Sequence, residues 1–435
     1  MPPAVRAASR ERPYQSHVRP LLPSGPRRSL QTQGRQAGQR WRHRVVWMAL
    51  VGVVCVVGSR QITGAGGAGA ADVLRAVVGP AATARLEASY LTLADTLHAA
   101  TYALGGQPVH APWAGSPPAV TRPPVPGALA HGAVSQAQVA SARSGQGSGP
   151  VPLLLPPLRV VITPALAGEG RWTTAGLPPA GRSALPPVAK TFLRPDPARP
   201  YALATLLQVD LRVARLHIVA GTEQPGGPIG RPGAGLIPPA DTQGDRLLAV
   251  FNGGFKYADG AYGLMSGGTV YVRPVWGAAT LAVTRRGSVL LGAWGRDARL
   301  SGANRALIAW RQNARLLLDQ GRITAQTQEG DTWGLSIMNS VYTGRSGIGL
   351  TAQGTLLYVA GASLSATTLA QTLQAAGAVT AMELDINPYW VRSFTYGRDA
   401  HGQLTAWALD PAMPGIGMEY LYGYTRDFFY VTRSR

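Results

Sequence analysis

The sequence predicts an α+β fold: a C-terminal domain of mixed β-sheet with few helices, preceded by a disordered tail, a membrane segment and a proline-rich linker. Three observations predict it. From Tyr201 onward, apolar residues alternate at a period of two between glycine-bearing turns. Within that region one segment, 363–378, instead carries helical apolar spacing. The chain before residue 201 falls into zones of distinct composition.

Charge separates the same zones. Of 435 residues, 41 are Lys or Arg and 21 are Asp or Glu, giving a formal charge of +20. Residues 1–200 hold 21 of the basic and 6 of the acidic side chains, so the excess belongs to the front of the chain. No nucleic-acid partner is therefore expected for the folded domain. The single cysteine, Cys55, rules out an intramolecular disulfide and a cysteine-based zinc site.

Residues 1–44 contain ten Arg and one Glu among Gly, Pro, Gln and Ser, the composition of a disordered basic tail. "VVWMALVGVVCVVG" (45–58) follows between Arg44 and Arg60. This run is short against the roughly 20 apolar residues a spanning helix needs. Extended to residue 62, it reads as a transmembrane signal anchor or a signal-peptide core. The basic side is N-terminal, which places the tail in the cytoplasm and the C-terminal domain outside it. "AGAA" (68–71) offers a cleavage site, and cutting there would make the domain secreted; the long basic region before the run argues for retention. Residues 71–104 have helical apolar spacing, compatible with a stalk, a self-association element, a membrane-surface helix or a plain packed helix. Residues 105–200 hold 19 of the 35 prolines and read as an extended linker.

The domain assigned to 201–435 opens with "YALATLLQVDLRVARLHIVAG", which alternates like two strands. "RLLAVFNGGF", "GAATLAVTRRGSVLLGAWG", "RSGIGLTAQGTLLYVAG" and "TAMELDI" continue as strands. "TRRGSV" (284–289) and "TAQGTL" (351–356) carry glycine where a hairpin turns. In the helical segment the cap falls within Ser365 to Thr368, Leu369 and Leu373 share a face, and Gly377 ends the helix.

Three segments of this domain hold candidate chemistry. In "AVFNGGF", a buried-looking strand ends on Asn252, and Gly253 lets the backbone turn or approach a ligand. Asn252 can hold a substrate hydroxyl or phosphate oxygen, or simply end the strand as an Asx-turn residue. In "YTGRSGIGL", Arg345 between small residues can clamp a phosphate, or be an exposed strand-end arginine. In "TAMELDINPYW", alternation puts Glu383 and Asp385 on one strand face. Two such carboxylates can split into acid and base, bind hydroxyls, or take a divalent cation.

Taken in order, "VDLRVARLHIVAG", "AVFNGGF", "GRSGIGLTAQGTLLYVAGA" and "TTLAQTLQAAGAVTAMELD" resemble the phosphodiester glycosidase family over about 201–430. The resemblance implies a hydrolase acting on a sugar phosphodiester or related envelope glycan, with no nicotinamide, flavin or haem and with the metal requirement open. It implies acid/base or sugar-orienting roles for Asp385 and Glu383, and substrate-binding roles for Asn252, Gly253 and Arg345. The family usually follows this aspartate with a glycine run, whereas here Ile386, Asn387, Pro388, Tyr389 and Trp390 follow. Asn387 and Tyr389 can replace the lost donors, and Trp390 can stack on a sugar face. The alternative is a glycan-binding envelope module that has kept the fold without the chemistry.

Overall fold

The computed structural model describes residues 93, 95–105, 109–113, 154–177, 187–328, 333, 342–386, 389–413 and 415–434. The basic tail (1–44), the apolar segment (45–62) and the stretches 71–92 and 114–153 lie outside the described residues. No helix among those described is long and apolar enough to cross a membrane.

Seventeen strands form three sheets among the described residues. The first orders β1 (Val188–Leu193), β2 (Ala204–Asp210), β13 (Thr355–Leu364), β12 (Thr343–Thr351), β14 (Ala378–Ile386), β10 (Leu316–Asp319) and β11 (Arg322–Ile323). The second orders β16 (Leu404–Ala408), β15 (Ser393–Arg398), β4 (Leu247–Asn252), β17 (Phe428–Arg433) and β3 (Ala214–Val219). The third orders β6 (Thr269–Val272), β5 (Leu264–Ser266), β9 (Leu307–Asn313), β7 (Ala279–Thr284) and β8 (Val289–Ala293). The expected sheet-rich domain with few helices is present, and every ladder between these strands runs antiparallel. Both hairpins read from glycine occur: Gly287 and Gly354 turn β7 into β8 and β12 into β13, at φ +83° and +79°.

Alternation along β14 sorts its side chains. Met382 and Leu384 enter a central core with Ile348, Tyr358, Phe251, Leu281 and Phe429, drawn from all three sheets. Ala381 faces the other way, toward Leu369 and Leu373 of the helix. A helix (95–103) is α1, and α2 is Ala366–Ala375, with Ser365 and Thr368 forming a capping box at its start. α2 packs directly on β12 because Gly347 and Gly349 present no side chains. A Cβ on Gly347 would lie 3.1 Å from Leu369 Cδ2, and one on Gly349 would lie 2.8 Å from Ala378 Cβ.

The expected linker over 105–200 requires correction at its C-terminal end. Leu155 and Leu158 join the core beneath α2, and β1 pairs with β2 along its whole length. Glu169 is buried, accepting from the backbone N–H groups of Leu166 and Arg194 and from the Arg194 guanidinium, with the ion pair closing at 2.9 Å. Proline-rich chain around Leu155 and Leu158 is thus built into the domain, covering an apolar edge. Likewise, the described end of the 71–104 segment is a packed helix: Asp95 of α1 accepts from Arg199 Nε (3.1 Å), the Tyr201 hydroxyl (3.0 Å) and the Ser363 hydroxyl (3.2 Å).

Removing the Glu169 carboxylate leaves a buried guanidinium uncompensated. Glu169→Ala is expected to lower unfolding free energy by about 3–5 kcal/mol, read by urea denaturation of the full chain; a change below about 1 kcal/mol would show that residues 154–177 are not integral to the domain.

Candidate active site

The ends of β4, β12, β14 and the start of β17 meet at one buried place, and four of the expected residues are there. β4 ends at Asn252, and Gly253 continues against Asp427, whose carbonyl accepts from Gly253 N at 3.1 Å. A Cβ on Gly253 would fall 1.9 Å from Asp427 Oδ2. The close approach that the Gly-Gly pair permits is therefore to this carboxylate, which also accepts from Gly254 N (3.1 Å). From β9, Arg311 donates to Asp427 through Nε (2.7 Å) and Nη2 (3.2 Å) and to the Phe255 carbonyl (2.6 Å).

β14 reaches the same place through a bulge. Gly347 opposes Glu383 and Arg345 opposes Ile386, so three steps along β14 span two along β12. The strict alternation expected for Glu383 and Asp385 is interrupted, and the two carboxylates engage different partners. Glu383 Oε1 accepts from Arg345 Nη1 at 2.5 Å. Asp385 Oδ2 accepts from Arg426 Nη2, which also donates to the Gly254 carbonyl at 3.1 Å. Asp385 N donates to the Gly253 carbonyl (3.0 Å), tying β14 to the end of β4.

Both carboxylates are buried, and burial disfavours their charged forms. Glu383 is pushed up to about 7, chiefly by desolvation; the Arg345 guanidinium opposes the shift and the Asp385 charge adds to it. Asp385 rises to about 6, again chiefly by desolvation, with Arg426 opposing and Asp427 and Asp259 adding. Glu383 Oε2 is one of several buried side-chain atoms, Arg392 Nε and Glu419 Oε2 among them, that have no hydrogen-bond partner among the described residues.

Asn252 and Arg345 are drawn into the protein more deeply than their expected substrate-binding roles require. Asn252 Oδ1 accepts from the Tyr358 hydroxyl (2.8 Å) and Arg392 N (3.3 Å), while Nδ2 donates to Ser346 Oγ (2.9 Å) and the Gly253 carbonyl (3.0 Å). Arg345 is 3% exposed and also donates to the carbonyls of Leu364 and Trp333. The strand-end Arg345 is thus neither exposed nor placed at a surface phosphate. Asn387 lies outside the described residues. Tyr389 and Trp390 are half-buried. Trp390 is flanked by cations: Arg426 Cζ at 4.7 Å, and Lys256 Nζ and Arg392 Cζ both at 5.8 Å from the ring centre.

Sequence reasoning missed Arg311, Asn313, Arg426 and Asp427. Asn313 Nδ2 donates to the carbonyls of both Glu383 and Leu384 at 3.0 Å, and its Oδ1 accepts from Phe255 N. A signal existed in "WRQNAR": three consecutive polar residues inside a strand, all fully buried. "RDFFYV" held another, an Arg-Asp pair opening an aromatic strand. Among the described residues, no group of three or more His, Cys, Asp or Glu side chains is placed to hold a metal ion.

Residues 245–385 match the family model of the phosphodiester glycosidases, NAGPA. The matched stretch contains Asn252, Gly253, Arg345, Glu383 and Asp385 and stops at Asp385, where "INPYW" begins. Among solved structures, the chain is similar to the catalytic domain of zebrafish N-acetylglucosamine-1-phosphodiester alpha-N-acetylglucosaminidase, auto-inhibited by its pro-peptide. The identity there is 15%, covering 58% of this chain and 86% of that one, with a TM-score of 0.36. A hypothetical protein from Synechocystis follows at 13% identity, 54% and 59% coverage and a TM-score of 0.30. A putative exported protein from Burkholderia pseudomallei stands at 11%, 53% and 74%, with a TM-score of 0.29. No curated protein matches the chain.

The raised carboxylates make stability depend on pH with a definite sign. Folded Glu383 and Asp385 hold protons up to about 7 and about 6, whereas the unfolded chain releases them near 4.5 and 3.8. Stability is therefore expected to fall as pH rises through that window, by an amount on the order of a few kcal/mol, and to level off above it. Urea denaturation across the window checks this, and Glu383→Gln should flatten the upper part of the slope.

Proposed function

We propose that this chain is an exported, membrane-tethered hydrolase of the phosphodiester glycosidase type, acting on a sugar phosphodiester of an envelope glycan. The observation that carries the reading is the buried Glu383–Asp385 pair inside the family-matched stretch. Burial raises both carboxyls toward neutrality, and Glu383 keeps one oxygen without a partner. A carboxyl poised near neutral pH can give and take a proton in one cycle.

In this reading Glu383 carries the proton and delivers it to the departing oxygen through Oε2. Asp385, the lower of the pair, stays ionised beside Arg426 and activates water or steadies positive charge developing on the sugar ring. Arg345 and Asn252 act as positioning residues. Arg345 fixes the Glu383 carboxyl, and Asn252 holds the Gly253 and Ser346 groups that support Asp385. Phosphate is received by the cations gathered around Trp390, whose ring offers a stacking face to the sugar. The anchor over 45–62 would hold this domain against the outer face of the membrane.

Binding without turnover is the competing reading, and one observation favours it: the side chains expected to grip phosphate, Arg345 and Asn252, are buried and hydrogen-bonded within the protein.

The two readings part on substrate release. The full chain is expected to liberate free sugar from one member of a panel of glycosyl phosphodiesters, with Asp385→Asn and Glu383→Gln each lowering kcat by about 10²–10⁴-fold. Unaltered turnover in both variants removes the assignment. Trp390→Ala should raise KM about tenfold with a smaller effect on kcat, the pattern of a lost binding contact. Binding of the same compounds with no release by any form of the chain establishes the module instead.

A further inference from the structure

A cleft of about 410 Å³ is lined by residues of β8 and β10, together with Thr380 of β14. Arg296, Arg299, Arg315 and Asp319 give it a charged lining. Arg299 is locked in place by Asp297, which accepts from its Nε (3.1 Å), Nη2 (2.8 Å) and backbone N (2.9 Å). Arg296 and Arg315 are exposed and have no ion-pair partner among the described residues.

At the rim stands Trp276, next in the chain to the cleft residue Gly277 and 67% exposed. A single exposed indole is ordinary on a protein surface, but this one adjoins a charged cleft. It is also held in place. Gly295, at φ +77°, lies so close that a Cβ there would fall 2.4 Å from the Trp276 Nε1 atom, and Arg296 Cζ sits 5.3 Å from the ring centre. The ring thus stands against Gly295 and the Arg296 guanidinium, and its exposure leaves much of it open to solvent.

We propose that this cleft is a second binding site, for an acidic glycan, with Trp276 as its stacking platform. The C–H face of a pyranose packs on an aromatic ring, and the guanidinium groups of Arg296 and Arg315 recognise a carboxylate through paired hydrogen bonds. Asp319 and Thr324 add polar groups to the same lining. The volume suits one or two sugar units, within the range of small-ligand sites. Charge in the lining disfavours an apolar occupant. The site stands apart from the reaction proposed for Glu383, which lies three residues, roughly 10 Å, further along β14. Alternation along β14 puts Thr380 on the face of Met382 and Leu384 and Glu383 on the other, so the two sites are separate.

Calorimetric titration of the full chain with trigalacturonate, maltotriose and adenosine monophosphate tests the proposal. Trigalacturonate is expected to bind, maltotriose to bind at least tenfold more weakly, and Trp276→Ala to weaken trigalacturonate at least tenfold. Because Trp276 is mostly exposed, its loss should leave the thermal transition in place. Arg315→Gln provides an independent variant that should shrink the preference for the acidic sugar. Glu383→Gln should leave binding unchanged, so a failure of the proposed reaction and a failure of this site give different results. Absence of trigalacturonate binding, equal binding by Trp276→Ala, equal binding of maltotriose, or tighter binding of the nucleotide would overturn the assignment.

Discussion

The carboxylate of Asp427 is the junction on which the architecture around the candidate site depends. Arg311 reaches it from β9 of the third sheet, and Gly254 N donates to it just beyond the end of β4 in the second, while Gly253 N donates to the Asp427 carbonyl. Two residues along β9 from Arg311, Asn313 grips the backbone of β14 in the first sheet. One ion pair, with side chains 0% and 1% exposed, therefore fixes three sheets at a single point. Charges so deeply buried cost several kcal/mol each to desolvate, and only full pairing offsets that. Here every polar atom of the Asp427 carboxylate meets a donor, which is why glycine is needed at 253: no side chain fits between the strand end and the acid.

From this junction the unequal states of the other two carboxylates follow. Asp427 remains paired with Arg311 and adds negative potential to Asp385, which has Arg426 as its own partner. Glu383 sits further inside with Arg345, and desolvation outweighs that single guanidinium. Three acids are thus each paired with an arginine in one buried region, yet the acids are held differently. A purely structural network would be expected to close every lone pair. The partnerless Glu383 Oε2 is the departure from closure, and it falls on the carboxyl with the higher affinity for a proton.

How much of this was legible in the sequence depended on whether the cause was local. The cap at Ser365, the stop at Gly377 and the turns at Gly287 and Gly354 were readable because each is set by a few adjacent residues. The clustering of Asn252, Arg345, Glu383 and Asp385 was readable through the order of four short motifs. The partners of these residues were not. Arg311 and Asp427 are 116 residues apart and stand on or next to strands of different sheets, so only the tertiary fold brings them together. The bulge in β14 was equally hidden, since alternation in "MELDI" gives no sign that one residue is extra. The proline count misled for a related reason: proline rules out a regular ladder but not a chain that lies on a core, as Leu155 and Leu158 do.

The loop after Asp385 gains its meaning from what surrounds it. Glycine runs bind anions through backbone N–H groups, a device closed to Pro388 and crowded by Tyr389 and Trp390. The structure supplies positive charge there by side chains instead: Arg426, Arg392 and Lys256 all lie within 6 Å of the Trp390 ring centre. Arg392 is held by Glu419 and by the Tyr389 carbonyl, so the indole is flanked by a fixed cation rather than a wandering one. Arg426 bridges the two halves of the site, touching Asp385 on one side and Trp390 on the other. An anion that drew Arg426 toward the indole would weaken its hold on Asp385 and raise that carboxyl further. Phosphate recognition and proton affinity would then be coupled through a single guanidinium, an arrangement that a glycine loop, carrying no charge of its own, does not provide.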